Sequence, residues 1–160
     1  MTSIKFSPGQ PLTPAVFHIL LALVDGDKHG YAIMKDVETQ TAGRLKLGPG
    51  TLYGTIKRLL AAGLIVEVAE RPDPALDDER RRYYRLTALG RQSAQLESQR
   101  LRQAVKAAPG SVENHYHLGV VEKATGNEQL AKWHLEAAVT LAKKAQEDKQ
   151  TLPASALEAA

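Results

Sequence analysis

The chain has 160 residues, of which 43% are hydrophobic and 24% charged, enough for one globular domain or two small ones. It contains no cysteine, which excludes a disulfide framework and thiolate metal sites and fits a reducing, cytoplasmic setting. The net charge of +3 is unevenly placed: residues 1–108 hold 16 Lys/Arg against 11 Asp/Glu, and residues 109–160 hold 5 against 7.

A basic front and a mildly acidic back predict different partners for the two parts. The longest apolar run, Ala15 to Val24, is interrupted by His18. A membrane span needs roughly 20 apolar residues, so this run is expected to be a core helix and no membrane partner is expected. Met1 to Gln10 has no apolar stretch after its basic residue, so no signal peptide is expected there.

Residues 1–11 read as a flexible N-terminal arm. Thr13-Pro14 opens a first helix, with Thr as cap and Pro at the first helical position, and that helix is expected to reach about Val24. Asp25-Gly26-Asp27 is a turn, and His29-Gly30 leads into a second helix over about Tyr31 to Thr41. A third helix is predicted from Pro49 to Ala62, ended by Gly63 as a C-terminal cap. Leu64 to Val68 is β-branched and reads as a strand. Arg71 to Asp78, with two prolines, is a loop, and Arg82 to Leu86 is the returning strand. Thr87 caps a fourth helix to about Lys106. Pro109-Gly110 breaks it, and a helical pair follows: Ser111 to Thr125, a turn at Gly126-Asn127, and Glu128 to about Ala145. Residues 146–160 read as a flexible tail.

On a wheel of 100° per residue, the third helix places Leu52, Ile56, Leu59 and Leu60 on one face. The opposite face carries Gly50, Gly54, Lys57, Arg58 and Ala61, flanked by Thr51 and Tyr53. Small residues there let a duplex approach the backbone, and the cations reach phosphates or guanine edges. Thr51 and Tyr53 stand near the helix start, where free N–H groups attract phosphate. Arg80-Arg81-Arg82 sits where the hairpin turns back and suits phosphate or minor-groove contact, although Asp77, Asp78 and Glu79 precede it. The bland alternatives are a solvated basic helix face and local pairing of the arginines with those acids. Tyr83 and Tyr84 are expected to pack. The fold class is therefore mainly α: a winged helix-turn-helix of three helices and a two-stranded wing over 12–87, then a C-terminal helix over 88–108 and an antiparallel helical hairpin over 109–145.

Several ordered segments carry a family resemblance: Leu12-Thr13-Pro14, His29-Gly30-Tyr31, Pro49-Gly50-Thr51-Leu52-Tyr53, Gly63-Leu64-Ile65, Arg82-Tyr83-Tyr84-Arg85-Leu86-Thr87 and Gly90-Arg91. Over about Leu12 to Lys106 the chain resembles the PadR family of bacterial winged helix-turn-helix regulators. That resemblance implies a homodimer on double-stranded, palindromic operator DNA, usually a repressor, in some members released by a small molecule or another signal. It adds Tyr31 and Lys35 to the candidate DNA contacts and makes the helix after the wing a dimerisation arm. Gly54 departs from the proline common at that place. The stripe Ala94, Leu101, Ala104 and Val105 on that arm suits a partner helix.

Val112 to Ala145, with Leu118-Gly119, Gly126, Ala131 and Ala138, resembles a single degenerate tetratricopeptide repeat. His115, Glu122 and Lys143 depart from its pattern. One repeat cannot cover both its faces, so Leu118, Trp133 and Leu135 are candidate dimer contacts, with a protein partner as the second option. His115 and His117 diverge by about 200° on a helix. No metal site, cofactor or catalytic motif is expected. The competing function is a protein adaptor that uses the winged helix as a scaffold.

Overall fold

The structure is a computed structural model and describes residues 9–69 and 81–151. The chain divides into two compact units, Met1–Gln99 and Arg100–Ala160. The described elements are α1 (Pro14–Ala22), β1 (Lys28–His29), α2 (Gly30–Gln40), α3 (Pro49–Ala61), β2 (Ile65–Val68), β3 (Tyr83–Leu86), α4 (Ala88–Ala107), α5 (Val112–Ala124) and α6 (Glu128–Thr151).

In the first unit, Thr13 caps α1 by accepting from Val16 N, with Pro14 at the first helical position. The core is built from Ile19, Leu20 and Leu23 of the first helical segment, Ile33 and Val37 of α2, and Leu52, Ile56 and Leu59 of α3. Leu64 and Ile65 extend it to the root of the wing. Each such side chain contributes about 1.5–3 kcal/mol when fully buried. α3 ends where expected: Gly63 adopts φ +69°, a left-handed conformation that glycine takes without a Cβ clash.

The wing differs from the expected two strands. β3 lies in the middle of a three-stranded antiparallel sheet of order β1-β3-β2. Ile65, Val66, Glu67 and Val68 face Leu86, Arg85, Tyr84 and Tyr83 in turn, and Lys28 and His29 face Tyr84 and Tyr83 on the other edge. A strand of two residues is too short to show a period of two, so its sequence carried no strand signal. Tyr83 and Tyr84 are both buried, so the wing root is covered on both sides. Arg85 closes the first unit further with a two-pronged ion pair to Asp27, at 2.9 and 2.7 Å.

Thr87 joins wing to α4. Its hydroxyl lies 2.7 Å from the Gly63 carbonyl and 2.9 Å from that of Leu64, and accepts from Gly90 N at 3.0 Å. The approach leaves no room at Gly90: an added Cβ would meet Leu64 O at 2.1 Å.

In the second unit, Ser111 caps α5 by accepting from Asn114 N at 3.2 Å. α5 and α6 pack closely at Gly119, where an added Cβ would sit 2.7 Å from Leu135 Cγ, and Ala131 and Ala138 are buried on the facing helix. Glu122 is buried, with Oε1 accepting from Arg102 Nε and Nη2 at 3.0 and 2.8 Å and Oε2 accepting from Asn127 Nδ2 at 2.6 Å. A buried carboxylate with those partners is compensated, and removing one partner would strand its charge. α6 continues through Thr151, past residue 146, where a flexible tail was expected. The segment Lys143–Lys149 is polar but made largely of good helix formers, so polarity concealed the helix.

Replacing Gly90 with alanine is expected to destabilise the first unit by about 2–3 kcal/mol, the upper part of the range for overpacking. Thermal unfolding should register this as a drop of roughly 10 °C or more; an unchanged Tm would contradict the tight Leu64–Gly90 approach.

Candidate nucleic-acid interface

α3 buries Leu52, Thr55, Ile56 and Leu59 and exposes Gly50, Thr51, Tyr53, Gly54, Lys57 and Arg58. Gly48 precedes the helix without a side-chain cap, and Pro49 takes a first-turn position. The opening N–H groups of α3 are thus left for solvent or an anion. Thr55 contributes in a way the helical wheel does not reveal. Its hydroxyl donates to Thr51 O at 2.8 Å and accepts from Arg58 Nη2 at 3.1 Å, which lays the guanidinium along the helix.

Tyr53 leans across the start of α2. A Cβ on Gly30 would lie 2.7 Å from the Tyr53 hydroxyl oxygen, so glycine at position 30 is what lets the phenol rest there. His29 organises the same corner. Its Nδ1 accepts from Ala32 N at 3.1 Å, capping α2. Its ring stacks on Tyr31 at 6.5 Å and meets Tyr83 edge-on at 5.4 Å. The Lys35 ammonium stands 5.8 Å from the Tyr31 ring centre, within cation–π range. Lys28 pairs with Asp36 on the same helix.

These side chains enclose a cleft of about 310 Å³ lined by His29, Gly30, Tyr31, Tyr53, Tyr84, Arg81 and Arg82. The cleft thus joins the start of α2, the exposed side of α3 and the wing. Tyr31 and Tyr53 are more than half exposed, whereas Tyr84 is buried, and burial is the main cause that raises its phenol above the ordinary range. Glu67 adds to that rise and Arg82 opposes it. Arg82 also pairs with Glu67 at 3.3 Å, with both side chains largely in solvent. Such a pair is worth about 0–1 kcal/mol, so it can be exchanged for a stronger anion.

Among the sequence-predicted contacts, the structure gathers Tyr31, Lys35, Tyr53, Arg81 and Arg82 around the cleft and its rim, and leaves Gly50, Thr51, Gly54, Lys57 and Arg58 exposed on α3. Arg80, like Asp77, Asp78 and Glu79, lies outside the described residues. Sequence reasoning missed His29 and Gly30 as organisers. The His-Gly pair before a helix held the clue, since a cap residue precedes the first helical turn.

The expected dimer contacts divide. Ala94 and Leu118 are buried within the chain. Leu101, Ala104, Val105 and Leu135 are half-buried, and Trp133 is 58% exposed. His115 and His134 touch each other at 3.0 Å, while His117 stands beside Glu113 at 3.5 Å.

The model of the transcriptional regulator PadR-like family matches residues 19–96. Over those residues the chain is similar to that family, a PadR-like domain by this likeness. A curated relative, an uncharacterized 37.1 kDa protein in transposon TN4556 of Streptomyces fradiae, is 40% identical over 80 residues, which is 50% of this chain. The chain spans about a fifth of that protein's length, 21%. Among solved structures, a transcriptional regulator from Clostridium thermocellum is 27% identical, with 58% of this chain and 84% of that one covered at a TM-score of 0.49. The circadian clock associated protein Pex from Anabaena is 23% identical, with 65% and 89% covered at a TM-score of 0.45. The architecture of the PadR-like domain rests on its own elements and their pairing.

Gly54 tests how open the α3 face is. A Cβ there would meet nothing within 4 Å. Changing Gly54 to alanine should therefore stabilise the PadR-like domain by up to about 1 kcal/mol, the helix-interior difference between the two residues. A chemical denaturation midpoint that falls instead would mean the position is crowded.

Proposed function

We propose that the PadR-like domain binds duplex DNA and that the chain regulates transcription. The observation that carries this reading is the exposed side of α3, where Gly50 and Gly54 leave the backbone bare beside Lys57 and Arg58. α3 enters the major groove, its glycines let the helix approach closely, and the two cations reach guanine edges or phosphates. Tyr31, Lys35, Thr51 and Tyr53 fix the approach through the sugar–phosphate backbone. Arg81 and Arg82 of the wing, with Arg80 beyond the described residues, take phosphates or the minor groove. Arg82 exchanges Glu67 for phosphate as it does so.

The chain acts as a homodimer on a palindromic operator, with half-sites about one helical turn, roughly 34–36 Å, apart. It serves as a repressor, released by a small molecule or another signal, and works in the cytoplasm without catalysis. Support for self-association comes from α6, where Leu130, Trp133 and Val139 are large, apolar and exposed. The hairpin acts as one tetratricopeptide-like unit over 112–145. Such a unit normally needs stacked neighbours, which a second copy supplies. The same three side chains favour one rival reading, an adaptor that docks another protein. The outer side of α3 weighs against it, because a docking face is anchored by apolar groups, and this one presents Lys57 and Arg58.

Salt titration separates the two readings. Binding to duplex should weaken with a log–log slope of about −0.9 per phosphate contacted; a flat response would make the chain an adaptor. Replacing Lys57 and Arg58 together with alanine should lower duplex affinity by at least about 30-fold, at roughly 1–3 kcal/mol for each good base contact, and leave unfolding unchanged. Undiminished binding would place the interface elsewhere. For the dimer, Trp133→Glu is expected to shift sizing and sedimentation toward the monomer while the PadR-like domain keeps its Tm. A wild-type-like elution profile would remove α6 from the interface.

A further inference from the structure

We propose that His115 and His134 form a proton-operated catch, holding the α5–α6 hairpin closed at neutral pH and releasing it in mild acid. The two rings are both buried and meet Nδ1 to Nδ1 at 3.0 Å. His115 Nε2 lies 2.8 Å from the Pro109 carbonyl oxygen. A carbonyl only accepts, so Nε2 of His115 carries a hydrogen. In neutral His115 the Nδ1 lone pair then accepts, and His134 donates from its own Nδ1. One chain of hydrogen bonds thus runs from α6 through α5 to the loop after α4. It fixes the tautomer of both rings.

That arrangement has no place for two added protons. The first goes to Nε2 of His134 and puts an imidazolium in a buried site. The second needs Nδ1 of His115, which would set two N–H groups against each other at 3.0 Å. Burial, first, and His115, second, hold the affinity of His134 for a proton below the ordinary histidine range. Glu122 pulls the other way, but its carboxylate is committed to Arg102 and Asn127, and the Arg102 guanidinium opposes protonation in turn. Other polar pairs on the two helices are Glu113 beside His117 on α5 and Lys132 with Glu136 on α6.

The direction follows by linkage. In an opened hairpin His134 takes its proton near the ordinary pKa of about 6.5. The closed hairpin binds fewer, so its histidine-derived stability is present above that pH and is lost as pH falls below it. That excluded proton shifts the balance toward opening by up to roughly tenfold per pH unit. Trp133 is the single tryptophan and lies edge-on to both rings, at 5.7 and 4.7 Å. Its fluorescence therefore reports on the catch.

The test is amide hydrogen exchange on the full chain at pH 7.5 and 5.5, corrected for intrinsic chemistry, with Trp133 emission followed in parallel. Protection in α5 and α6 should fall by up to about tenfold at the lower pH while amides of α1 to α3 hold theirs. His134→Asn keeps a donor near the Nδ1 position but cannot titrate, and should flatten most of the slope with pH. Equal corrected protection at both pH values, or an unaltered slope in that variant, would overturn the proposal. Should the variant fail to form the hairpin, imidazole titrations by NMR in the wild-type chain decide. A depressed His134 titration that tracks opening supports the catch, and an ordinary His134 titration with the hairpin intact refutes it.

Discussion

Burial of Leu52, Ile56 and Leu59 decides where everything else on α3 points. Three such side chains together contribute several kcal/mol on leaving water. The exposed charges on the same helix are worth a fraction of that. The apolar face therefore sets the rotation of the helix, and Gly50, Gly54, Lys57 and Arg58 face outward as its geometric remainder. No attraction to a partner is needed to keep them there. The presented surface exists before anything binds, which lowers the ordering cost that association would otherwise carry.

Around that helix, the first unit is tied together by short polar links rather than by a larger core. Thr87 connects the carbonyls at the end of α3 with the first turn of α4, and Arg85 connects β3 to the turn before α2. His29 serves backbone and rings at once, as cap, stacking partner and edge contact. These links fix angles, because a hydrogen bond weakens steeply when misaligned. The placement of Tyr31 and Tyr53 on either side of the cleft follows from them.

Much of this was legible in the chain. Thr13-Pro14, Gly63 and Thr87 marked element ends through cap chemistry that needs no tertiary partner, and the 3.6-residue period of α3 sorted its buried from its exposed side chains. Long-range packing was less visible. β1 exists because β3 has a free edge beside it, and nothing in Lys28-His29 alone announces a strand. Ala94 and Leu118 read as candidate partner contacts, and their burial within the chain depends on neighbours distant in sequence. Glu122 looked like a flaw in a repeat pattern, yet Arg102, twenty residues earlier, makes it a buried ion pair. The extension of α6 was hidden by polarity, which masks helices with solvated sides.

The pairing between Val68 and Tyr83 has an evolutionary consequence. Alignment of β2 with β3 is set at their base by four residue pairs and by Thr87, so that alignment does not depend on the number of residues between positions 68 and 83. Insertions or deletions there preserve the phase of both strands and leave the core unaltered. The reach of this element can drift between descendants while the scaffold beneath it is inherited intact.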